Sequence, residues 1–408
     1  DMERLNKQYK PEYPKQPSQG LPFEKIGGTW ILNSPIQTRD YVSNKSGLKI
    51  DESGKVFSYG GNVFLYDAVV AVDGTGDYTD IQAALNAGKK NLFIRAGTYK
   101  VSSAITINYD DVIILGSGTN TVITPLVTDG YNDYLFKIND KRNCKIENLK
   151  ILGTRTTETG WQGGINIYGQ ADNCINNCFI QDCHDNGIYL SNSINRARIS
   201  NCFFTDNTKS IYNASSADCF IYNNFFYHDS GNPIYLTGGY IYINNNYIYG
   251  GADYGIYMFK YVHDCIIANN QIFSSGGSCI KVDSSATTAY QYGNLITNNC
   301  LFGYDNHTIY LIDAQGFIIS NNRIEEAKSA SGYDTYDSIY LEGSAINCQY
   351  NIISGNLIWG DDKVRNGINE SDANQNNNVI TNNIVKDVRN SSIIASGANT
   401  VVSNNLEI

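Results

Sequence analysis

The sequence predicts an all-β protein built as a parallel β-helix. Three observations predict it: a repeat of 22–30 residues, three short apolar stretches of period two in each repeat, and an asparagine held in phase with them. The repeat runs from about residue 143 to the end. Its clearest signature is a small or turn residue, then Ile, often Tyr, then an apolar residue. Gly187-Ile188-Tyr189-Leu190, Pro233-Ile234-Tyr235-Leu236, Gly255-Ile256-Tyr257-Met258 and Ser338-Ile339-Tyr340-Leu341 are examples. From Ile165 to Ile393 the isoleucine steps are 23, 23, 23, 22, 24, 29, 30, 29 and 25. The second signature places Asn at 148, 177, 201, 224, 246, 270, 299, 322, 356, 383 and 405. Repeats of this length mark solenoids.

Within residues 219–236 the apolar stretches are Phe220-Ile221-Tyr222, Phe225-Phe226-Tyr227 and Ile234-Tyr235-Leu236. Alternation is strand behaviour, and nothing between them is long enough for a helix. Each repeat is therefore a coil of three strands that pairs in parallel with the next coil and buries a continuous core. An asparagine at the same bend of every coil can hydrogen-bond the amides above and below it. A leucine-rich repeat has a similar period, but it needs Leu at fixed spacing and one strand per repeat.

The amino-terminal third reads differently. Residues 1–20 are polar and Pro-rich, which suits an arm or virion anchor rather than a signal peptide. Residues 1–66 are expected to hold this arm and a small β unit, and residues 67–408 the β-helix. Thr79 or Asp80 can cap a short helix over 79–87 whose apolar residues are Ile81, Ala84 and Leu85. That helix would close the open end of the solenoid. Leu92-Phe-Ile, Ile113-Ile-Leu and Thr121-Val-Ile-Thr are further strands.

Composition narrows the function. The chain has 408 residues with a net charge of −10 and a pI near 4.9, which argues against nucleic acid and anionic membrane as partners. No apolar run reaches the 18 or so residues of a membrane span. The ten cysteines show neither CxxC pairs nor zinc spacing and are expected to be mostly buried free thiols. Cys178 and Cys202 occupy equivalent repeat positions and could bond.

The stretch from Asp73 to Tyr99, with Gly116-Ser-Gly118 behind it, resembles the entry of the pectate-lyase-like right-handed parallel β-helix superfamily. Its members include pectin methylesterases, pectate lyases, polygalacturonases and viral tailspikes. The Gly-Ile-Tyr-Leu and Asn-Asn repeats resemble that superfamily's carbohydrate-binding and sugar-hydrolase repeats. Gln181-Asp182 is similar to the first catalytic pair of the methylesterases, but their later Asp-Phe-Ile-Phe-Gly and Gly-Arg-Pro-Trp motifs are absent. So are the polygalacturonase Asn-Thr-Asp and Gly-His-Gly motifs and the lyase Arg-Pro pair. The resemblance therefore implies fold and not activity.

In the Ile-Tyr-Leu strand Ile and Leu should point inward and Tyr outward. The outward row is Asn166, Tyr189, Tyr212, Tyr235, Tyr257, Lys281, Tyr310, Tyr340 and Asn369. Such phenols can stack on sugar rings and bond their hydroxyls, which makes the six tyrosines the expected substrate-binding residues. A subunit interface, or strand preference alone, would also favour tyrosine. A second outward row is expected after the asparagine, comprising Ile180, Phe204, Tyr227, Tyr249, Phe273, Phe302, Glu325, Trp359 and Lys386. A bare apolar row of this length implies cover by an identical chain or by the amino-terminal segment. The resemblance to tailspikes points to a homotrimer.

Asp283 and Glu342 should share the tyrosine face two coils apart, or about 9.6 Å. That is near the upper end for an inverting glycosidase pair, so they are the first catalytic candidates. Asp313 lies between them, one place further along. A second acidic group, Asp182, His184, Asp185, Asp206, Asp229 and Asp253, comes from turns that enter the tyrosine strands. It could supply oxygen ligands for Ca²⁺ or an acid and base, although turns favour Asp for backbone reasons too. No residue is assigned as a metal ligand, and the four histidines read as surface residues. The expected function is an extracellular or virion-surface β-helix that binds a surface polysaccharide, with its cleavage left open. The alternatives are a non-enzymatic spike and a secreted polysaccharide lyase or hydrolase.

Overall fold

In the computed structural model the chain divides into two compact units, residues 1–67 and 68–408. The structure describes residues 66–408 except 127–132, 156–161, 192–195, 216, 275, 286–291, 305, 329–334 and 345–346; before residue 66 it describes only four strands. These are Phe23–Ile26, Thr29–Leu32, Leu48–Ile50 and Val56–Ser58, an antiparallel sheet in chain order. The expected arm at 1–20 lies outside the described residues.

The second unit is the predicted β-helix. Its described strands form three parallel sheets in which every third strand is a neighbour. The tyrosine sheet has twelve strands, from Ile105–Ile107 to Ser391–Ile394. A second sheet has thirteen, from Gly97–Val101 to Leu406–Glu407, and a third has fourteen, from Ala68–Val70 to Val401–Ser403. In one coil the chain runs through Cys219–Tyr222 of the third sheet, Phe225–Asp229 of the second and Ile234–Leu236 of the tyrosine sheet. Ile188, Ile211, Ile234 and Ile256 pair in one column and are fully buried, as the pattern predicts. Each such side chain contributes about 1.5–3 kcal/mol by leaving water. The short helix Ile81–Asn86 forms where expected. Asp80 caps it by accepting from the Ala83 amide at 2.7 Å, and Ile81, Ala84 and Leu85 are buried.

From Glu147 onward the third sheet passes to the second through a corner of two residues in every coil. The first of the pair adopts positive φ, as in Asn223, Asn245, Asn269, Asn298 and Asn321 at 55–58°. Asparagine tolerates this region because its short polar side chain bonds locally. The second residue turns inward. The side-chain oxygen of Asn246 accepts from both the backbone and side-chain amides of Asn224 (3.0 and 3.1 Å), and the same pair of bonds recurs rung by rung from Asn246 to Asn405.

Two expectations fail at this corner for one reason. Asn148, Asn177 and Asn201 are not on the inner ladder; they take the positive-φ place, and Leu149, Cys178 and Cys202 stand on the ladder instead. Counting the following strand from Asn177 and Asn201 is therefore one residue out of phase, and such a slip exchanges the two faces of a strand. Ile180 and Phe204 point into the core, fully buried, and the residues in register with Tyr227 are Gln181 and Thr205. The rest of that outward row, Tyr227 to Lys386, is in register as expected. All ten cysteines are free, eight of them buried; Cys178 and Cys202 are stacked thiols rather than a disulfide.

Candidate functional site

The connections flanking the tyrosine sheet do not share the corner's constancy. Four residues separate Leu236 from the next strand, but eleven follow Asp283 and nine follow Glu342. On the entry side four residues precede Ile234 and ten precede Ile339. The tyrosine sheet is thus a regular floor between connections of variable length, and loops on rigid scaffolds are where binding groups concentrate.

On that floor the predicted row is in unbroken register: Asn166, Tyr189, Tyr212, Tyr235, Tyr257, Lys281, Tyr310, Tyr340, Asn369. The six tyrosines are half-buried. Their rings do not simply stack. Tyr212 and Tyr235 meet at 88° and Tyr235 and Tyr257 at 90°, with centroids 4.9 and 5.0 Å apart. In each pair one ring must turn away from the ladder. Rings on the second sheet behave differently. Phe179, Phe203, Phe225 and Tyr247 stack within 10° of parallel at 4.7–5.0 Å, so their inner faces cover one another.

Lys281 interrupts the row. Its ammonium lies 4.8, 5.4 and 5.4 Å from the ring centres of Tyr254, Tyr257 and Tyr310 and donates to the Tyr254 hydroxyl at 3.2 Å. Asp283 is 3.6 Å from the same ammonium. Asp283 also accepts from the Tyr257 hydroxyl at 3.2 Å and the Ser285 hydroxyl at 2.6 Å. Glu342 accepts from the Tyr310 hydroxyl. Asp283 and Glu342 stand in one column with Ile312 between them, two coils apart as expected. Burial raises the Tyr257 and Tyr310 hydroxyls well above the ordinary phenol range, and the adjacent carboxylates raise them further. Burial also pushes Tyr235 up to about 12. These hydroxyls are therefore neutral donors at physiological pH.

The other carboxylates do not form a second centre. Asp182 and Asp206 occupy positive-φ corners, the backbone reason for Asp in turns. Asp229 is 4% exposed and accepts from the Asn207 amide and the Ser210 hydroxyl at 3.0 and 2.5 Å. Asp185 accepts from His184, and Asp253 is exposed. Asp313 is buried and holds Ser344 and Asn347. Among the described residues no group of three or more His, Cys, Asp or Glu converges tightly enough to hold a metal ion.

Sequence reasoning missed one polar cluster at the far end of the floor. Asp337 is fully buried and receives the guanidinium of Arg365 at 2.9 and 2.5 Å, both amides of Asn366, and Asn369 at 2.9 Å. His307 is not a surface residue: it is buried and stacks on Tyr340 at 4.1 Å. Its Nδ1 accepts from the Asp337 amide at 2.9 Å, and burial lowers its pKa to about 4. The available signal was the spacing of 28 residues between Asp337 and Arg365, one repeat of this region.

A three-sheet solenoid with one aromatic and acidic face between variable loops defines the class of protein. The chain belongs to the right-handed β-helix family, whose profile matches residues 134–296 and 195–346. No curated protein matches it by sequence. Among solved structures it is similar to the A-module of the mannuronan C-5 epimerase AlgE4 from Azotobacter vinelandii. The TM-score is 0.63 at 18% identity, over 80% of this chain and 94% of that one. Pre-mature gene product 12 of bacteriophage phi29 gives 0.61 at 14% identity, over 80% and 50%. The Dettilon tailspike protein gives 0.56 at 16% identity, over 79% and 64%. The fold is thus shared with a polysaccharide-modifying enzyme and phage proteins. No helix among the described residues is long and apolar enough to cross a membrane.

Proposed function

We propose that this protein binds a surface polysaccharide lengthwise along the tyrosine sheet and cleaves it between Asp283 and Glu342. The observation that carries the reading is the row of half-buried tyrosines, in which Tyr212, Tyr235 and Tyr257 pack edge to face rather than as a closed stack, beside two carboxylates in one column. The neutral Tyr235 hydroxyl donates to a sugar oxygen, while those of Tyr257 and Tyr310 hold Asp283 and Glu342. One carboxyl protonates the departing glycosidic oxygen while the other takes a proton from attacking water, and a separation of about 9.6 Å leaves room for that water. The setting is extracellular or on a virion surface, and the assembly a homotrimer. Support for the trimer is the row on the second sheet, where Tyr227 and Tyr249 are 37% and 41% exposed and Trp359 41%.

A second reading, a non-enzymatic adhesion spike, draws on a specific observation: both carboxylates are already engaged by the protein's own hydroxyls. Incubation with a panel of surface polysaccharides, scored for retention and for shortened products, separates the two. Retention without shortening leaves the spike; neither result removes the glycan reading altogether.

A further inference from the structure

The corner where the tyrosine strands pass to the third sheet has its own positive-φ column. Asp264, Gly293, Gly316 and Asn377 occupy it with φ of 52–73°. These are residue types that tolerate the conformation. Arg196, Tyr240 and Tyr350 occupy it too, at φ of 56–59°, although bulky side chains are uncommon there. Tyr350 is 61% exposed, and Tyr292, two coils earlier, is 59% exposed.

Between the two tyrosines lies Gly316. A Cβ added there would meet nothing nearer than the Tyr292 backbone and Cβ, at 3.6–3.7 Å, so the rung between the rings is an unfilled space. Tyr292 stacks one ring face on His263 at 6.0 Å and 27°, which turns its other face toward this gap. The gap is a cavity of about 470 Å³ lined by Tyr292, Gln315, Gly316, Gln349 and Tyr350. Its register is fixed: Gln315 and Gln349 are bridged in parallel, and the Gly316 amide donates to the Gln349 carbonyl at 3.1 Å. Gln349 offers a half-buried carboxamide to this lining, whereas that of Gln315 is buried and donates to the Asn347 carbonyl at 3.5 Å. None of the five residues carries a charge.

We infer that this slot is a second saccharide subsite, which holds one uncharged pyranose unit where a glycan leaves the tyrosine sheet. The volume and the uncharged, aromatic-edged lining suit a single neutral ring. The C–H face of such a ring packs on a tyrosine, and vicinal hydroxyls match the donor and acceptor of a carboxamide.

The inference rests on the glycan-binding reading, and the experiment separates the two. Saturation-transfer NMR of the full chain is run with free glucose, galactose, mannose and N-acetylglucosamine at millimolar concentration. Transfer to at least one sugar is expected, to fall fivefold or more in Tyr350→Ala and in Gly316→Asn, and to persist in Phe203→Ala. Asparagine keeps the positive φ and fills the gap; if that variant does not fold by circular dichroism, Tyr350→Ala carries the test. No transfer from any sugar, or transfer indifferent to Tyr350, overturns the subsite. A signal lost only in Tyr235→Ala overturns it while leaving the tyrosine-sheet proposal in place. Slot binding with no polysaccharide retained by the tyrosine sheet does the reverse.

Discussion

The two-residue asparagine corner and the tyrosine sheet belong to the same coils, yet they are built to opposite rules. At the corner every coil from Glu147 onward repeats its length, its positive φ and, from Asn224 onward, its inward asparagine. Around the tyrosine sheet the connections run from three to eleven residues, and the rings change orientation from rung to rung. The difference follows from what each must satisfy. A buried amide ladder is bonded on both sides, so one rung out of place strands donors and acceptors in its neighbours. An outward side chain on a sheet face has no such obligation, and insertions beside it lengthen a solvated loop at small cost. Stacking is secured at the corner, which frees the opposite face to vary.

The sharpest way to break this contrast is to change each region at its own centre. On the tyrosine sheet, Asp283→Asn with Glu342→Gln should lower cleavage of whichever polysaccharide is shortened by about 100-fold or more, the loss for a missing acid or base. The melting temperature should hold nearly constant. Product analysis and calorimetry read the two halves, and a large fall in melting temperature would make these carboxylates structural.

At the corner, Asn270→Ala removes the acceptor for both Asn246 amides and the donor to Asn299 and to the Ile243 carbonyl. The expected loss is about 3 kcal/mol, since buried partners go unsatisfied. Urea midpoints measure it. The neighbouring Asn269, at φ 57°, gives the internal control. Asn269→Ala should cost about 1–2 kcal/mol through backbone conformation, and Asn269→Gly should restore most of it. Glycine at 270 should restore nothing.

Two buried groups near the entry of the tyrosine strands should oppose each other in pH. Burial raises Asp229 from 3.8 to about 7, so its contribution is full below pH 3.8 and is lost as pH rises through about 7. Burial lowers His307 from 6.5 to about 4, so its contribution is full above pH 6.5 and is lost as pH falls through about 4. The limits are about 4 and about 3 kcal/mol respectively. The wild-type stability curve should be nearly flat between pH 4 and 6.5. Asp229→Asn should leave a curve that rises over that interval, and His307→Gln one that falls toward pH 7. Parallel curves in all three proteins would refute the assignment.

The smallest expected effect is on binding. Tyr235→Ala and Tyr257→Ala should each weaken retention of the polysaccharide by roughly five- to tenfold, about 1–1.4 kcal/mol, in the range of a single aromatic contact. Phe203→Ala on the second sheet should leave retention unchanged, because its ring faces are covered by Phe179 and Phe225.

The sequence by itself determined the solenoid, the coil phase, the inward isoleucines, the capping helix and the tyrosine column. Each is set by local periodicity, and pairing in parallel preserves that periodicity from coil to coil. It also placed Asp283 and Glu342 in one column, since two repeat lengths fix that relation. Only the tertiary structure decided the rest. The repeat does not reveal which residue of a corner pair turns inward: Asn177 and Asn201 look like Asn224, but a cysteine follows them and takes the ladder. That single step reversed Ile180 and Phe204. Ring orientation along the tyrosine column, the burial of His307 against Tyr340, and the gap at Gly316 between Tyr292 and Tyr350 all depend on side chains from different coils. Those side chains lie within a few ångströms in space but 20 to 60 residues apart in the chain, where no local pattern records them.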